Sequence, residues 1–327
     1  MKVLVCGGAG YIGSHMTALL ASAGHEPIVF DNLSKGHKSA IGKARFVEGD
    51  LSDAKLLTGV LKGCYVDAVM HFAAFIEVGQ SVQEPLTYYH NNLCCTQNLL
   101  SAMEAAGVEK FVFSSTAAVY GIPKKVPITE DSPTEPINPY GETKLAVERM
   151  CHYQSRAGKL AYAALRYFNA CGAGARSGLG EDHRPESHLI PLTIQAAMGK
   201  RSDIKIYGTD YPTPDGTCLR DYIHIDDLCR AHLLALDELD EKEEMVYNLG
   251  NESSYSVRQV IETVKKVSGK DFRVVEAQKR AGDPPILLAD ATKAKTELGW
   301  EVEKPELEQM VATAWAWHCD HPDGYPD

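Results

Sequence analysis

The amino terminus of the chain places a short apolar segment, a glycine-rich loop and a helical pattern in immediate succession. Residues 3–6 are apolar, Gly7, Gly10 and Gly13 follow at three-residue spacing, and apolar positions at helical periodicity continue to Gly24. Glycines at this spacing permit a tight turn, the close approach of backbone to a pyrophosphate and the packing of a helix on a strand. The stretch therefore predicts the strand, loop and first helix of a dinucleotide-binding α/β fold.

An acidic residue ends the next apolar segment at a distance suited to nucleotide binding. Residues 27–30 run into Asp31, which stands eighteen residues after Gly13. A carboxylate at this place can accept hydrogen bonds from the adenosine ribose and repels a 2′-phosphate. The alternative is a glycine turn followed by a solvated aspartate, but the order of strand, loop, helix and acid favours the nucleotide site. We therefore expect NAD rather than NADP.

Apolar segments and helical patterns continue to alternate through the first half of the chain. Strands are predicted at 45–48, 66–71, 111–115 and 161–167, and helices at 54–61, at 85–107 and from Tyr140 onward. Such alternation predicts an α/β fold, a doubly wound parallel sheet (Rossmann) with helices on both faces. After Asn169 the pattern becomes irregular. We predict an NAD-binding Rossmann domain over residues 1–169 and a smaller mixed α/β C-terminal domain over 170–327, which returns to the first domain around 221–250 and shares a substrate cleft with it.

Composition and charge narrow the classes of function. The chain has 327 residues, of which 44% are hydrophobic and 24% charged, and its net charge is −11. This negative charge argues against a general nucleic-acid or anionic-membrane surface. The nine cysteines lack Cys-x-x-Cys and Cys/His ligand spacing, so we expect neither a metal site nor a disulfide framework. No signal-peptide or membrane-spanning pattern follows Met1, and we expect a cytoplasmic protein.

Hydroxyl groups, a phenol and a lysine meet at one end of the sheet in the predicted fold. The apolar segment 110–113 ends in Ser114, Ser115 and Thr116, and parallel sheets bind ligands at the carboxyl ends of their strands. Tyr140 and Lys144 stand four residues apart in a helical pattern, so both side chains lie on one face of that helix. A lysine ammonium beside a phenol lowers the pKa of the phenol, which makes Tyr140 a predicted proton acceptor near neutral pH.

Further motifs, taken together, are similar to those of the extended short-chain dehydrogenase/reductases, and within them to the enzymes that epimerise UDP-sugars at C4. The resemblance covers essentially the whole chain. It depends on the three glycines of the first loop and on the stretches Asp31-Asn-Leu, Gly49-Asp-Leu, His71-Phe-Ala-Ala, Ser114-Ser-Thr-Ala-Ala-Val-Tyr-Gly, Asn138-Pro-Tyr-Gly-x-x-Lys, Arg166-Tyr-Phe-Asn and Arg220-Asp-Tyr-Ile-His. Related dehydratases carry an Asp-Glu pair, as acid and base, where this chain has Ala117 and Ala118.

The resemblance implies an NAD-dependent interconversion of UDP-glucose and UDP-galactose. The sugar would be oxidised at C4, the 4-keto sugar would rotate in the cleft, and it would be reduced on its opposite face. Catalysis would depend on Thr116, which hydrogen-bonds the sugar 4-hydroxyl, on Tyr140, which takes its proton, and on Lys144, which holds the ribose. The resemblance also implies a homodimer, joined by the helix at 85–107 and the Tyr140 helix.

The resemblance assigns binding residues along the whole chain. NAD would contact Gly7, Gly10, Tyr11, Ile12, Gly13, Asp31, Asn32, Asp50, Leu51, Phe72, Ala73, Asn91, Tyr140, Lys144 and Phe168. The UDP-hexose substrate would contact Thr116, Asn169, His188, Leu189, Lys205, Tyr207, Arg220, Arg280, Asp283 and Leu287. The two arginines suit a pyrophosphate, because a guanidinium binds phosphate oxygens in a bidentate manner.

Three departures from the pattern of similar enzymes leave the substrate range open. Ile76 stands where some of them have a lysine that reaches the cofactor, His188 where many have asparagine, and Leu287 at the gate of the sugar pocket, where others have tyrosine or cysteine. A 4-epimerase of another UDP-sugar, such as an N-acetylhexosamine, a uronate or a pentose, fits the same motifs. A non-catalytic NAD-binding regulator is a further alternative, because fold alone does not determine function.

Overall fold

The computed structural model describes residues 1–174, 177–280 and 282–327. Its strands are β1 (Lys2–Cys6), β2 (Glu26–Asp31), β3 (Arg45–Glu48), β4 (Ala68–His71), β5 (Lys110–Thr116), β6 (Ala161–Tyr167), β7 (Asn169–Cys171), β8 (Ile204–Tyr207), β9 (Leu219–His224), β10 (Glu244–Leu249), β11 (Ser254–Ser256), β12 (Val274–Ala277) and β13 (Ile286–Leu287). Its helices are α1 (Tyr11–Ser22), α2 (Ala54–Gly63), α3 (Val78–Gln83), α4 (Pro85–Tyr88), α5 (Cys95–Ala106), α6 (Pro139–Arg156), α7 (Leu189–Ala197), α8 (Ile225–Glu238), α9 (Val257–Ser268), α10 (Thr292–Leu298) and α11 (Leu307–Asp320).

A parallel sheet of seven strands forms the larger part of the molecule. Its strand order is β10-β6-β5-β4-β1-β2-β3, and every neighbouring pair is parallel. Val3 and Val5 of β1 point into one core with α1 and α8, whereas Leu4 and Cys6 point into a second core with α2 and α5. Both faces are covered by helices, which explains why the strands are apolar throughout rather than alternating. The predicted doubly wound α/β fold is confirmed.

The remaining strands form two small sheets beside the carboxyl-terminal half of the chain. Strand β9 pairs with β7, β11 and β13, while β8 pairs with β12. Helices α7, α9 and α11 pack together around a core that includes Ile194, Val264 and Met310. Strand β10 comes late in the chain but lies at the edge of the large sheet, next to β6. The division into domains at residue 169 stays a prediction.

Strand β9 is irregular in its sequence pattern because it carries a buried charge. Asp221 is fully buried, and its carboxylate accepts hydrogen bonds from the backbone amides of Asn251 at 2.7 Å, Glu252 at 3.2 Å and Ala289 at 3.1 Å. Burial raises the pKa of Asp221 to about 7, although these three bonds lower it. The carboxylate thus joins β9 to the segments after β10 and after β13.

The helix predicted at 85–107 is interrupted by a wider turn. Between α4 and α5 the chain forms a π-helical segment, Tyr89–Cys94. Within it, the side chain of Asn92 accepts a hydrogen bond from the Phe75 amide at 2.8 Å and donates one to the Phe75 carbonyl at 3.0 Å. The π segment therefore holds the loop after β4, and such segments are frequent at functional sites. In the parts of the chain that the structure describes, every helix is too short or too polar to cross a bilayer.

Candidate active site

The glycine loop joins β1 to α1 in a conformation that only glycine fits. Gly7 has φ +78°, and a Cβ atom placed there would lie 2.5 Å from the Ala73 amide nitrogen. A Cβ on Gly13 would lie 2.0 Å from the Gly7 carbonyl oxygen. Gly10 is the N-cap of α1, and no side chain caps that helix end. Since the free amides of a helix end attract phosphate, the loop fits the predicted dinucleotide.

Acidic and amide side chains meet beside this loop, at the ends of β2 and β3. The Asp31 carboxylate accepts hydrogen bonds from the amides of Ala9 at 3.0 Å and Leu33 at 2.9 Å, which joins it to the glycine loop. Burial raises its pKa, and these two bonds oppose that effect. The side-chain amide of Asn32 donates to Asp50 at 2.6 Å, and hydrogen bonds, chiefly from Ser52, lower the pKa of Asp50.

The other predicted cofactor residues lie around the same edge of the sheet. The amides of Phe72 and Ala73 donate to the Cys6 carbonyl at 2.8 and 3.1 Å, which brings the end of β4 beside the glycine loop. Tyr11 uses its hydroxyl to donate to the Gly172 carbonyl at 2.7 Å. Ile12 is partly buried and Leu51 is buried. The Asn91 side chain donates a hydrogen bond to the neighbouring Asn92 side chain, and Phe168 and Leu287 pack against one small hydrophobic core.

Helix α6 begins where it can bring Tyr140 to the end of β5. The side chain of Asn138 caps the helix by accepting a hydrogen bond from the Gly141 amide at 2.9 Å, and Pro139 follows at the first helical position. A Cβ on Gly141 would lie 2.6 Å from the Ala118 carbonyl oxygen, so glycine allows the helix to pack closely on the turn after Thr116. Tyr140 is thereby brought close to Thr116, whose hydroxyl lowers the pKa of the phenol.

The pKa values of Tyr140 and Lys144 are governed mainly by burial, which differs from the sequence-based expectation. Burial raises the pKa of the Tyr140 phenol, and the hydrogen bond with Thr116 offsets only part of that effect. The ammonium of Lys144 donates to the Ser114 carbonyl at 2.8 Å and lies over the Phe113 ring at 4.9 Å. Burial lowers the pKa of Lys144 to about 7, against the attraction of Glu148. Desolvation of the phenol therefore dominates the Tyr140 pKa for these residues on their own, and the expectation that Lys144 lowers this pKa stays a prediction.

A buried ion pair beneath the site was not predicted from the sequence. Glu148 stands one helical turn after Lys144, and its carboxylate accepts from the Arg166 Nε at 3.0 and 3.2 Å and from Nη2 at 2.6 Å. Ser115 also donates to Glu148, and Arg166 donates to the Tyr120 hydroxyl at 2.9 Å. The spacing of Tyr140, Lys144 and Glu148 at four-residue steps was the signal in the sequence that could have indicated this shared helix face.

Most of the predicted substrate residues lie on or beside the two small sheets, in two groups. Arg220 on β9 pairs with Asp283, whereas the Arg280 guanidinium stacks over the Tyr207 ring at 4.0 Å. Leu287 on β13 is in register with Arg220. The Asn169 side chain donates to the Asp221 carbonyl at 2.7 Å, and Lys205 and Tyr207 share the exposed face of β8. Leu189 is the first residue of α7, and the His188 ring before it is hydrogen-bonded to the Glu181 carboxylate. The two predicted pyrophosphate ligands are thus engaged separately.

Comparison with known proteins identifies the family. The NAD dependent epimerase/dehydratase family matches residues 3–250. The chain belongs to this family. The UDP-glucose 4-epimerase of Halalkalibacterium halodurans is 50% identical over 326 residues, covering 99% of this chain and 98% of that protein. A crystal structure of a UDP-glucose 4-epimerase matches with a TM-score of 0.97 at 47% identity and covers 100% of both chains.

One relative in the epimerase/dehydratase family has been solved with NAD bound. The UDP-glucose 4-epimerase from Brucella ovis in complex with NAD matches with a TM-score of 0.94 at 46% identity, covering 96% of this chain and 97% of that chain. The expectation of a nicotinamide-dependent sugar-nucleotide family is confirmed, whereas the roles of individual residues stay predictions.

Proposed function

We propose that the chain catalyses the NAD-dependent interconversion of UDP-glucose and UDP-galactose. The observation that carries the proposal is the close packing of the start of α6, at Gly141, on the turn after Thr116, which brings Tyr140 to the carboxyl end of β5, on the same sheet edge as the glycine loop. The turn after Thr116 consists of Ala117 and Ala118, which offer no acid and base for removal of water. Full-length similarity to UDP-glucose 4-epimerases supports the same reaction.

In the proposed reaction the residues of this site bind the sugar and move one proton. Thr116 would hydrogen-bond the 4-hydroxyl, and Tyr140 would accept its proton and later return it to the oxygen on C4. NAD, when bound, would supply the electron acceptor and donor for C4 and a positive charge beside the phenol, which opposes the effect of burial on the Tyr140 pKa. Lys144, fixed on the Ser114 carbonyl, would hold the ribose.

The sugar must turn between the two half-reactions while its nucleotide stays bound. Arg220 and Arg280, together with Asn169, Leu189 and Tyr207, would hold the UDP moiety, since guanidinium groups suit a pyrophosphate. Holding one end of the substrate keeps the free hexose within reach of Tyr140 in both orientations.

The direct test is product analysis with a panel of UDP-sugars and no added NAD. We expect UDP-glucose and UDP-galactose to interconvert faster than UDP-N-acetylhexosamines, UDP-uronates or UDP-pentoses. A faster reaction with one of the other sugars would assign the chain to that substrate. Failure to convert any of them, with NAD bound to the protein, would favour the non-catalytic regulator.

The purified protein is expected to carry NAD rather than NADP. The Asp31 carboxylate lies at the end of β2 and is fixed by two backbone amides, so a 2′-phosphate on the adenosine ribose would face a negative charge. The cofactor released by denaturation can be identified by mass spectrometry. Recovery of mainly NADP would contradict the assignment of Asp31.

Leu287 is expected to set the preference between hexoses and N-acetylhexosamines. It is partly buried, lies on β13 in register with Arg220 and packs with Phe168 against the turn after β5, so it adjoins both the small sheet and the end of β5. A leucine frees some of the volume that a tyrosine would fill, and differences of this size shift discrimination by about 1–3 kcal/mol. We therefore expect slower but measurable turnover of the UDP-N-acetylhexosamines.

Substitution tests this gate directly. Leu287→Tyr should abolish the N-acetylhexosamine activity and spare the hexose reaction, and Leu287→Met, which has a similar volume, should leave the ratio of the two activities close to that of the unmodified protein. An unchanged ratio in Leu287→Tyr would show that the residue is not the gate.

We also propose a homodimer in the cytoplasm. Val82, Leu86 and Tyr153 are 62%, 82% and 72% exposed, and they lie on α3, α4 and α6, which pack against one another. Exposed apolar side chains on neighbouring helices are consistent with a protein interface there. Light scattering should give twice the mass of one chain, and Leu86→Glu should give monomers while Tyr65→Glu, at an exposed apolar site elsewhere, should not.

All nine cysteines are free, which suits a reducing compartment such as the cytoplasm.

A further inference from the structure

Two glutamates and two histidines in the loop between β7 and α7 bring their ligand atoms together. They are Glu181, His183, Glu186 and His188, and one ligand atom from each lies within 4.8 Å of all the others. The Glu181 and Glu186 side chains are only 5% and 4% exposed and that of His183 is 19% exposed, whereas His188 is 44% exposed, so the cluster is buried on the glutamate side and reaches the surface at His188. We propose that these four residues form a binding site for one divalent transition-metal ion of the zinc class.

The position of the His183 ring is the observation that favours a shared ion. Its Nδ1 atom is shielded from solvent and makes no hydrogen bond of acceptable geometry with any residue in the described ranges. Yet it lies 3.2 Å from Glu181 Oε1 and 3.7 Å from Glu186 Oε1. A shielded ring nitrogen that has carboxylate neighbours but no well-aligned hydrogen bond is incompletely satisfied. A metal ion among these oxygens would satisfy it.

The distances agree with the geometry of a small coordination sphere. In a tetrahedral zinc site the bonds are about 2.0–2.2 Å, which places neighbouring ligand atoms about 3.3–3.5 Å apart. The two His183 distances lie near this value, whereas His188 Nδ1 is in direct contact with Glu181 and closer to it than two ligands of one ion would be. Binding of one ion by Glu181-x-His183-x-x-Glu186-x-His188 would therefore require the His188 ring to move away from Glu181.

The donor atoms select the class of metal. Two imidazole nitrogens with two carboxylate oxygens suit Zn²⁺ and its neighbours Co²⁺ and Ni²⁺, whereas Mg²⁺ and Ca²⁺ prefer oxygen ligands alone. The proposal departs from the sequence-based expectation of no metal site, which was argued from cysteine and Cys/His spacing, whereas this set contains no cysteine. The cluster is formed by a loop whose sequence lacks any regular period, so only its folded path brings the four side chains together.

The proposed ion would fix the segment that leads to the substrate side of the cleft. His188 is the N-cap residue of α7, directly before Leu189. The His183 ring packs edge-on against Tyr11 of α1, with 6.3 Å between the ring centroids. An ion at the cluster would thus hold the start of α7 to the helix that follows the glycine loop. We assign it a structural role, because Tyr140, Thr116 and Lys144 are not among its ligands and His188 is the one predicted substrate contact in the set.

Metal binding to the NAD-loaded protein tests the proposal. After treatment with a chelator and its removal, the protein is titrated with ZnCl₂, and retained zinc is measured by mass spectrometry after desalting. We expect one zinc per chain and a higher Tm in its presence. Titration with Co²⁺ should produce the visible absorption bands of a four- or five-coordinate site, and Mg²⁺ or Ca²⁺ should not displace the bound ion.

Variants separate this site from adventitious binding. His183→Gln and Glu186→Gln should each weaken zinc binding at least tenfold, while His152→Gln, which removes the histidine of an exposed pair with Glu244, should leave it unchanged. Circular dichroism and retained NAD show whether each variant is folded. The proposal is wrong if the unmodified protein retains no zinc, or if His183→Gln binds it as tightly as the unmodified protein; the cluster would then consist of glutamate–histidine ion pairs only.

Discussion

The variant Tyr140→Phe is expected to lose at least a few hundred-fold in kcat for the interconversion of UDP-glucose and UDP-galactose. Removal of a positioned acid or base costs about 10²–10⁴ in rate, because the proton of the sugar 4-hydroxyl then has no acceptor within reach. The side chain is held by the cap at Asn138 and the close packing of Gly141, and neither depends on the phenol hydroxyl. The variant should therefore fold and bind NAD normally. Initial rates with both UDP-sugars measure the effect.

A matched variant distinguishes loss of the phenol from a general effect of losing a tyrosine hydroxyl. Tyr65 is 78% exposed and lies before β4, away from the carboxyl ends of the strands. Tyr65→Phe should keep full activity. NAD content, measured on each preparation, shows that the cofactor site is intact. Near-normal turnover by Tyr140→Phe would mean that another group takes the proton.

The variant Arg166→Leu should lose about 3–5 kcal/mol of the free energy of unfolding. Arg166 and Glu148 are 7% and 4% exposed, and the substitution leaves the Glu148 carboxylate buried without its bidentate partner. A buried charge that has lost its partner is strongly destabilising, whereas the pair itself contributes little relative to apolar residues. Urea unfolding, followed by circular dichroism, gives the change.

Two controls show whether the unpaired charge is the cause. The double variant Arg166→Leu with Glu148→Leu should be destabilised by less than the sum of the two single variants, because it removes both charges together. Lys266→Ala breaks an exposed pair with Glu308 and should cost no more than about 1 kcal/mol. Strictly additive effects of the two buried substitutions would contradict the assigned role of the ion pair.

Much of the large sheet could be predicted from local sequence patterns. The strands at 45–48 and 161–167 were predicted with the bounds that the structure has for β3 and β6. The strand at 161–167 is a mostly apolar run, as burial on both faces requires, whereas the edge strand at 45–48 has only two apolar residues between its charged ends. The glycine loop could also be predicted, because the close backbone contacts at Gly7 and Gly13 exclude every other residue type. Asp31 was then found from its place at the end of the next apolar segment.

Strand β9 and the wider turn after α4 could not be predicted in the same way. Arg220 and Asp221 break the apolar pattern of β9, and the buried carboxylate is stabilised only by amides from distant segments. The π-helical segment at Tyr89–Cys94 keeps the helical periodicity of its neighbours, so its extra width has no local signal. In both cases the partners are remote in the chain, and a pattern confined to neighbouring residues does not contain them.

The sequence by itself determined the fold class, the cofactor loop and the residue types at the proposed catalytic centre, because each depends on local periodicity or on a steric requirement that one residue type meets. Only the tertiary structure decided the pKa shifts of the buried groups and which charged side chains lie together. Burial raises the Tyr140 pKa and lowers that of Lys144, Glu148 is paired with Arg166, and His183 is brought between two glutamates. Desolvation and electrostatic attraction depend on distances through space, which are fixed only when remote segments pack together.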